Sequence, residues 1–389
     1  MSKIKLGIIG IGNIGKTHVK NVVEGRCPEV DLVAVADWDP KVLQWCTETC
    51  PDAKQFSDAK EMIDSGVCDS IIVSVPHYDH VPLGVYSLEK GLNTLVEKPI
   101  AVYTKQAKEL IAAGEKSEGV FALMYNQRTD PLYIKLRELV QGGELGEMIR
   151  MCWIVTNWYR PQAYYNSGAW RASWKGEGGG VLLNQSPHQL DLWQWICGMP
   201  VSIQANLKYG SRHVIEVEDE VVALAKYPNG AVGTFITSTC EFPGTNRLEI
   251  VLDGGTIVCE NGKLEITRLS QFESVFTKEN KVSNIRPEKT IEIFDPKNPK
   301  DQFQHSKVLN AFAGNILRGD DLIAVGAEGI KGLSLSNAMH LSSFLGGKEI
   351  TFPIDEDQFY DFLQEKIATS TKTITDEVVE GGDFSATFN

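Results

Sequence analysis

The first 125 positions alternate short apolar runs with stretches in which apolar residues recur at helical spacing. The runs predict strands near 4–9, 31–36, 70–75, 93–96 and 119–124. The periodic stretches predict helices near 14–24, 40–49, 58–65, 79–90 and 104–117. Strand and helix in such alternation predict a parallel sheet with helices on both faces. After Asn126 the pattern changes. A helix near 131–141 leads to Gly142 and Gly143, followed by longer alternating runs near 147–158, 201–209, 218–227, 231–239, 247–252 and 256–260. These predict a large, mostly antiparallel sheet, and Tyr227-Pro228-Asn229-Gly230 is a turn signal joining two of its strands as a hairpin. Helices near 182–197 and 302–318 are expected to cover one face of that sheet, leaving the other for an oligomer contact. The chain thus divides into an α/β domain at 1–125, a second α/β domain with an open sheet at 126–370, and a tail at 371–389.

The turn after the first strand carries the first chemical signal. Gly10-Ile11-Gly12-Asn13-Ile14-Gly15 follows an apolar strand and opens a helix, and Asp37 ends the second strand about 20 residues on. That context defines a Rossmann dinucleotide site. Gly10 allows the tight turn, Gly12 lets a pyrophosphate approach the backbone, and Gly15 lets helix pack closely on strand. The phosphate charge then meets the free N–H groups at the helix start, around Asn13 and Ile14. A carboxylate at position 37 accepts hydrogen bonds from the adenosine ribose and repels a 2′-phosphate, and no Lys or Arg adjoins it. NAD is therefore expected rather than NADP. Asp39, before Pro40, is expected to be a turn or helix-capping residue rather than a second ribose ligand.

Charge and composition narrow the partners. A net charge of −13 argues against a nucleic acid, because it leaves no broad basic surface to neutralise phosphates. No apolar run approaches the roughly 20 residues of a membrane span. Met1-Ser2-Lys3 leads straight into the first strand, so a cytoplasmic protein is expected. The eight cysteines are scattered without a CxxC pair. Cys46 and Cys50 read as packing groups on a helix, and no metal-ligand set is expected.

Two further constellations point to catalysis. Lys98 stands between Glu97 and Pro99 at the end of an apolar strand, so its side chain is aimed from a strand end into the cofactor crevice. After the run Gly178-Gly179-Gly180, which permits close ligand approach, Ser186 and Pro187 signal a helix start. His188 and Asp191, three apart, share one face of that helix, while Leu190, Trp193 and Ile196 suit packing.

Taken together, these landmarks make the sequence resemble the Gfo/Idh/MocA family, the relatives of glucose–fructose oxidoreductase and inositol dehydrogenase. The resemblance rests on the glycine loop through His18, Val75-Pro76-His77-Tyr78-Asp79-His80, Glu97-Lys98-Pro99, Trp170-Arg171, Gly178-Gly179-Gly180 and His188-Gln189-Leu190-Asp191. It implies a Rossmann domain, an open-sheet domain, and hydride transfer to NAD from a secondary alcohol of a sugar, glycoside or cyclitol. It implies Lys98 and His188 as catalytic residues, with Asp191 facing substrate. Pro76, His77, His80, Glu97, Asn126, Trp170 and Arg171 would lie near the cofactor, and the protein would be a homodimer or homotetramer.

Two positions depart from the family pattern. Asn184 stands where many relatives carry Asp; it can bind a sugar hydroxyl but cannot stabilise an imidazolium by charge. His77 stands where Asn is usual. The aromatic stretch ahead of the glycine run places Trp158, Arg160 and Tyr164 as partly exposed substrate or subunit contacts, and His305 is a further substrate candidate. Two other functions fit the same residues. In one, held NAD is reduced and reoxidised within a turnover that eliminates a glycosidic group. In the other, the chain binds cofactor and regulates without catalysis, against which the retention of both Lys98 and His188 argues.

Overall fold

The computed structural model describes residues 2–168, 170–296 and 303–372, and divides into two compact units. The first comprises Met1–Thr129 with Asp301–Leu333, the second Asp130–Lys300 with Ser334–Asn389. The tail expected at 371–389 lies, from residue 373 onward, outside the described residues.

Six parallel strands build the first unit: β1 (Ile4–Ile9), β2 (Val30–Ala36), β3 (Lys54–Phe56), β4 (Ser70–Val73), β5 (Asn93–Val96) and β6 (Phe121–Leu123). Their order is β3-β2-β1-β4-β5-β6. Helices α1 (Asn13–Val23), α2 (Pro40–Thr49), α3 (Ala59–Asp64), α4 (His80–Glu89) and α5 (Thr104–Lys116) make the crossovers. Asp39 caps α2 by accepting from the Lys41 N–H at 2.8 Å, with Pro40 at the first position. β1 pairs with both β2 and β4, so the strand order reverses there, the switch point beside which such sheets bind ligands at their strands' carboxyl ends. The pattern did not predict β3, which has three part-exposed residues at the sheet edge.

The second unit opens with α6 (Pro131–Gln141), β7 (Met148–Val155), α7 (Gln162–Asn166) and α8 (Pro187–Cys197). Strands β8 (Ser202–Tyr209), β9 (Glu218–Lys226), β10 (Val232–Ser238), β11 (Asn246–Leu252), β12 (Gly255–Glu260) and β13 (Lys263–Leu269) follow. After them come α9 (Glu273–Glu279) and β14 (Lys289–Phe294). α10 (Gln304–Arg318) and the start of α11 (Gly329–Phe344) belong to the first unit, and β15 (Ile350–Thr351) and α12 (Glu356–Ala368) complete the second. The nine strands run in the order β14-β13-β12-β11-β7-β10-β9-β8-β15, antiparallel except for the pair β7/β10. The hairpin at Tyr227–Gly230 joins β9 to β10 as expected, with Gly230 at φ +85°. α8 lies on this sheet through Leu190, Trp193 and Ile196, all buried. The Trp193 ring stacks on Phe235 of β10 at 5.4 Å, and Phe235 meets Trp153 of β7 edge-on at 6.3 Å. Each such buried side chain contributes on the order of 1.5–3 kcal/mol.

One expected placement is corrected. The helix near 302–318 does not cover the second sheet; as α10 it packs on the first. Val308, Leu309, Phe312 and Ala313 join Leu6, Ile8, Val19 and Val35 in one core cluster. The Asn310 amide also donates to the Arg26 carbonyl at 3.0 Å. The apolar stripe of this helix was legible, but its partner sheet was not, because the chain returns to the first unit after about 170 residues elsewhere.

Candidate active site

The three glycines after β1 meet different surroundings. A Cβ on Gly10, which sits at φ +83°, would lie 2.6 Å from the Ser74 carbonyl, and one on Gly15 would lie 2.0 Å from the Gly10 carbonyl. Protein backbone therefore demands both. A Cβ on Gly12 would meet nothing within 4 Å. The space it would occupy is a cradle in front of the α1 N-terminus, where no side chain caps the first amides. Asp37 closes the cradle from behind. One carboxylate oxygen accepts from the Ile11 N–H at 2.7 Å, the other from the Asp39 N–H at 2.9 Å. This cradle fits the pyrophosphate of NAD at the helix start and a ribose at the carboxylate.

Beneath the loop, side chains tie α1 to the Glu97-Lys98-Pro99 segment. His18, fully buried on α1, places Nε2 2.8 Å from Glu97 Oε1, and Glu97 Oε2 accepts from the Lys98 N–H at 3.2 Å. Burial pushes the Glu97 carboxyl up, but the His18 hydrogen bond and the His18, His305 and Lys98 charges outweigh it and hold the group at about 2. His305, at the start of α10, lies inside this first unit with its ring 5.7 Å from that of His18. Burial lowers its proton affinity to about 4. His80 bridges two loops. Its Nε2 faces the Val75 carbonyl at 2.8 Å and its Nδ1 the Pro99 carbonyl at 2.7 Å, with Lys98-Pro99 in cis. Burial lowers its proton affinity, and the two carbonyls oppose that shift. His77 is buried after Pro76, 5.9 Å from the His80 ring, and the Asn126 amide donates to Gln304 at 3.1 Å. The inward His18–Glu97 pair was not foreseen. Its signal was His18 three residues beyond Gly15, on the inner face of α1.

In the second unit Gly180 is demanded by protein backbone. A Cβ on Gly180 would lie 2.0 Å from the Glu218 carbonyl oxygen. The buried Glu218 carboxylate accepts from the Gly180 and Leu182 N–H groups, each at 2.8 Å. This pins the approach to α8 against β9, which corrects the expectation of a gap for ligand. Ser186 does not cap α8 through its side chain; its hydroxyl pairs with Thr237 at 2.9 Å. His188 is half-buried on the first turn of α8. Asp191, a turn later, is buried and accepts from Gln194 at 3.0 Å.

Ahead of α8, Tyr164 is a hub. Its hydroxyl donates to Asn184 Oδ1 at 3.3 Å and accepts from Arg171 at 2.9 Å and Gln185 at 3.1 Å. The Asn184 amide donates in turn to Glu177, whose second oxygen accepts from the Ala172 N–H at 2.5 Å. Glu177 is buried, and burial raises its carboxyl above the usual range against the opposing pull of Arg171, Asn184 and Ala172. Arg171 lies 4.6 Å from the Tyr164 ring and 4.4 Å from that of Trp170. Trp158 and Arg160, expected to be partly exposed, are each only 6% exposed. The reason is local: Arg160 folds back to donate to its neighbours' carbonyls, Tyr159 at 2.9 Å and Trp158 at 3.4 Å. Glu177 was missed because nothing in its sequence context marks it. Elsewhere in this unit His213, Asp219 and Cys240 gather ligand-type atoms within 4.8 Å of one another. The Asp219 oxygens already accept from the Ser211 N–H and hydroxyl, the Arg212 N–H and His213.

A Rossmann nucleotide domain joined to an open-sheet domain with a polar cluster at one helix start is the architecture of a two-domain dinucleotide-dependent protein. The family model described as "Oxidoreductase family, NAD-binding Rossmann fold" matches residues 4–125, and "GFO/IDH/MocA C-terminal domain" matches 133–258. The chain belongs to the Gfo/Idh/MocA family, and its first domain is an NAD-binding Rossmann fold. It is 28% identical over 236 residues to the uncharacterized oxidoreductase YdgJ of Escherichia coli, covering 59% of this chain and 63% of that protein. It is 24% identical over 238 residues to an inositol 2-dehydrogenase of Corynebacterium glutamicum, covering 60% and 66%. The matched stretch thus spans just under two thirds of these relatives. In fold it is similar to the WlbA dehydrogenase of Bordetella pertussis in complex with NADH and UDP-GlcNAcA, at TM-score 0.75 and 23% identity over 91% of this chain and 100% of that one. No helix among the described residues is long and apolar enough to cross a membrane.

Proposed function

We propose that the protein is an NAD-dependent dehydrogenase that oxidises a secondary alcohol of a sugar or cyclitol. The observation that carries this reading is the cradle at Gly12, closed by Asp37 and built in a chain whose family is an oxidoreductase family. The relative named inositol 2-dehydrogenase and the WlbA dehydrogenase support the substrate class. NAD, when bound, supplies the hydride acceptor.

This chain's residues then have separable tasks. The free amides of Asn13 and Ile14 and the Asp37 carboxylate orient the dinucleotide. The Lys98 ammonium stabilises negative charge developing on the substrate oxygen, and His188 accepts the hydroxyl proton. Glu97, fixed by His18 and the Lys98 N–H, is a positioning residue that sets where the Lys98 backbone starts. Asn184, oriented by Glu177 and Tyr164, is placed to contact a sugar hydroxyl. We also propose the cytoplasm as its location and a homodimer or homotetramer as its assembly. The test is to incubate the protein with NAD and a panel of inositols, aldoses and glycosides while following reduced nicotinamide. Formation of NADH with a member of the panel is the expected result. Cleavage of a glycoside without net NADH would replace oxidation by the elimination reaction, and bound NAD with no turnover of any kind would leave a regulator.

A further inference from the structure

Two guanidinium groups in the second unit stand against one aromatic ring. Arg160 lies 5.0 Å from the Tyr164 ring and Arg171 lies 4.6 Å from it. Among the described residues, neither forms an ion pair with an acidic side chain. Arg160 is 6% exposed, and its hydrogen bonds are one nitrogen's contacts with two backbone carbonyls. Its Nε is buried with no hydrogen-bond partner. Burying a guanidinium in this way is costly unless its charge is compensated. The ring faces of Tyr164 and Trp158 compensate in part.

Arg171 is the outward member of the pair. It is half-buried, one terminal nitrogen is used on the Tyr164 hydroxyl, and its flat side rests on Trp170. The buried Glu177 carboxyl, on which the Arg171 charge acts, accepts from Asn184 and the Ala172 N–H. A third cation, Lys372, donates to the Tyr165 carbonyl at 2.7 Å and the Arg171 carbonyl at 2.5 Å, adding positive charge behind the same loop. Arg160, Arg171 and Lys372 thus gather beside the Asn184 cluster, with the Glu177 and Glu216 carboxylates near Lys372. A guanidinium held rigidly by a ring and a hydroxyl, with donors left over, is the group that recognises the oxygens of an anion through paired N–H donors.

We propose that Arg171, braced by Tyr164 and backed by Arg160, binds an anionic group of the substrate, so that this enzyme prefers an acidic sugar derivative to a neutral sugar or cyclitol. The inference rests on the dehydrogenase reading for its meaning, but not for its test. A carboxylate and a phosphate present the same oxygens, so glucuronate and glucose 1-phosphate serve as separate probes beside neutral glucose. Binding of each to the NADH-loaded protein is measured by calorimetry, for the wild type, Arg171→Gln and Arg171→Lys, with NAD reduction followed in parallel.

The expected result is that at least one acidic probe binds roughly tenfold or more tightly than glucose, in line with a charge-assisted hydrogen bond. Arg171→Gln should erase that difference, and Arg171→Lys should restore part of it. Whichever of the two acids gains identifies the source of the anion. Equal binding of acids and glucose overturns the proposal. So does an Arg171→Gln protein that keeps the preference, or one that loses NADH affinity instead, which would assign Arg171 to the cofactor. If an acid binds through Arg171 and no probe reduces NAD, the anion site stands and the dehydrogenase reading falls.

Discussion

The two units hold their candidate ligands by different means. In the first, the groups facing the cradle are backbone amides, and the protein's work is to keep side chains out: a Cβ is excluded at Gly10 and Gly15 by backbone oxygens, and at Gly12 only by what must enter. In the second, the candidate groups are side chains, linked by hydrogen bonds among Glu177, Asn184, Tyr164 and Arg171. Recognition by backbone constrains residue type at fixed spacing. Recognition by side chains constrains only the three-dimensional arrangement, and many sequences can supply it.

Substitutions can break this contrast. Placing the same methyl group at two glycines should give opposite results. Gly15→Ala forces a Cβ onto the Gly10 carbonyl and should cost about 1–3 kcal/mol or more in stability as well as NAD binding. Gly12→Ala should leave the melting temperature within a degree or two of wild type, since such a site costs about 0.5 kcal/mol or less, yet weaken NADH binding in a calorimeter. Equal melting temperatures for the two variants would remove the distinction between a protein-facing and a ligand-facing glycine.

Asp37→Ala leaves the Ile11 and Asp39 N–H groups without their acceptor and removes the ribose carboxylate. With about 1.5–3 kcal/mol for a hydrogen bond to a charged group, NAD affinity should fall about 10- to 100-fold, read by fluorescence titration. NADP should lose far less.

The Glu97 carboxyl, held at about 2 in the folded chain against an ordinary 4.5, ties stability to pH. A depressed carboxyl stabilises fully above its unfolded value, and the contribution is lost as pH falls from about 4.5 towards about 2. The loss over that window is of order 3 kcal/mol. Denaturant melts should show a shallower acid decline in Glu97→Gln than in wild type. Parallel declines would mean that the His18 contact does not hold the charge.

Tyr164→Phe is the mildest change. It removes one hydroxyl from a network whose other members remain, so stability should drop by about 1 kcal/mol. Its larger effect should be on KM for substrate rather than on NADH affinity, which steady-state kinetics separates.

The same contrast explains what could be read from the chain before its structure was known. The parallel sheet, the glycine loop, Asp37 and the capping Asp39 were all legible, because each is a local rule of spacing or conformation. The hairpin at Tyr227–Gly230 was legible for the same reason. The partner of α10 was not, since the helix's stripe shows that it is buried but not against which sheet. Of the glycines at 178–180, read as room for ligand, Gly180 instead packs on the Glu218 backbone and donates to its carboxylate. Trp158 and Arg160 looked like surface contacts because aromatic and basic residues commonly are. The short loop folds Arg160 back on the Trp158 and Tyr159 carbonyls instead. β13, with Leu264 and Ile266 alternating with polar Lys263, Glu265 and Thr267, carried a readable strand signal.

The central claim is that Lys98 acts on the reacting oxygen while the glycine cradle and Asp37 hold the cofactor. The most direct test compares wild type with Lys98→Met, measuring NAD affinity by calorimetry and NADH formation in a single turnover with a sugar that the wild type oxidises. The account predicts matching NAD affinities and a rate of hydride transfer lower by roughly 10²–10⁴-fold in the variant. A Lys98→Met protein that reduces NAD at the wild-type rate would contradict it.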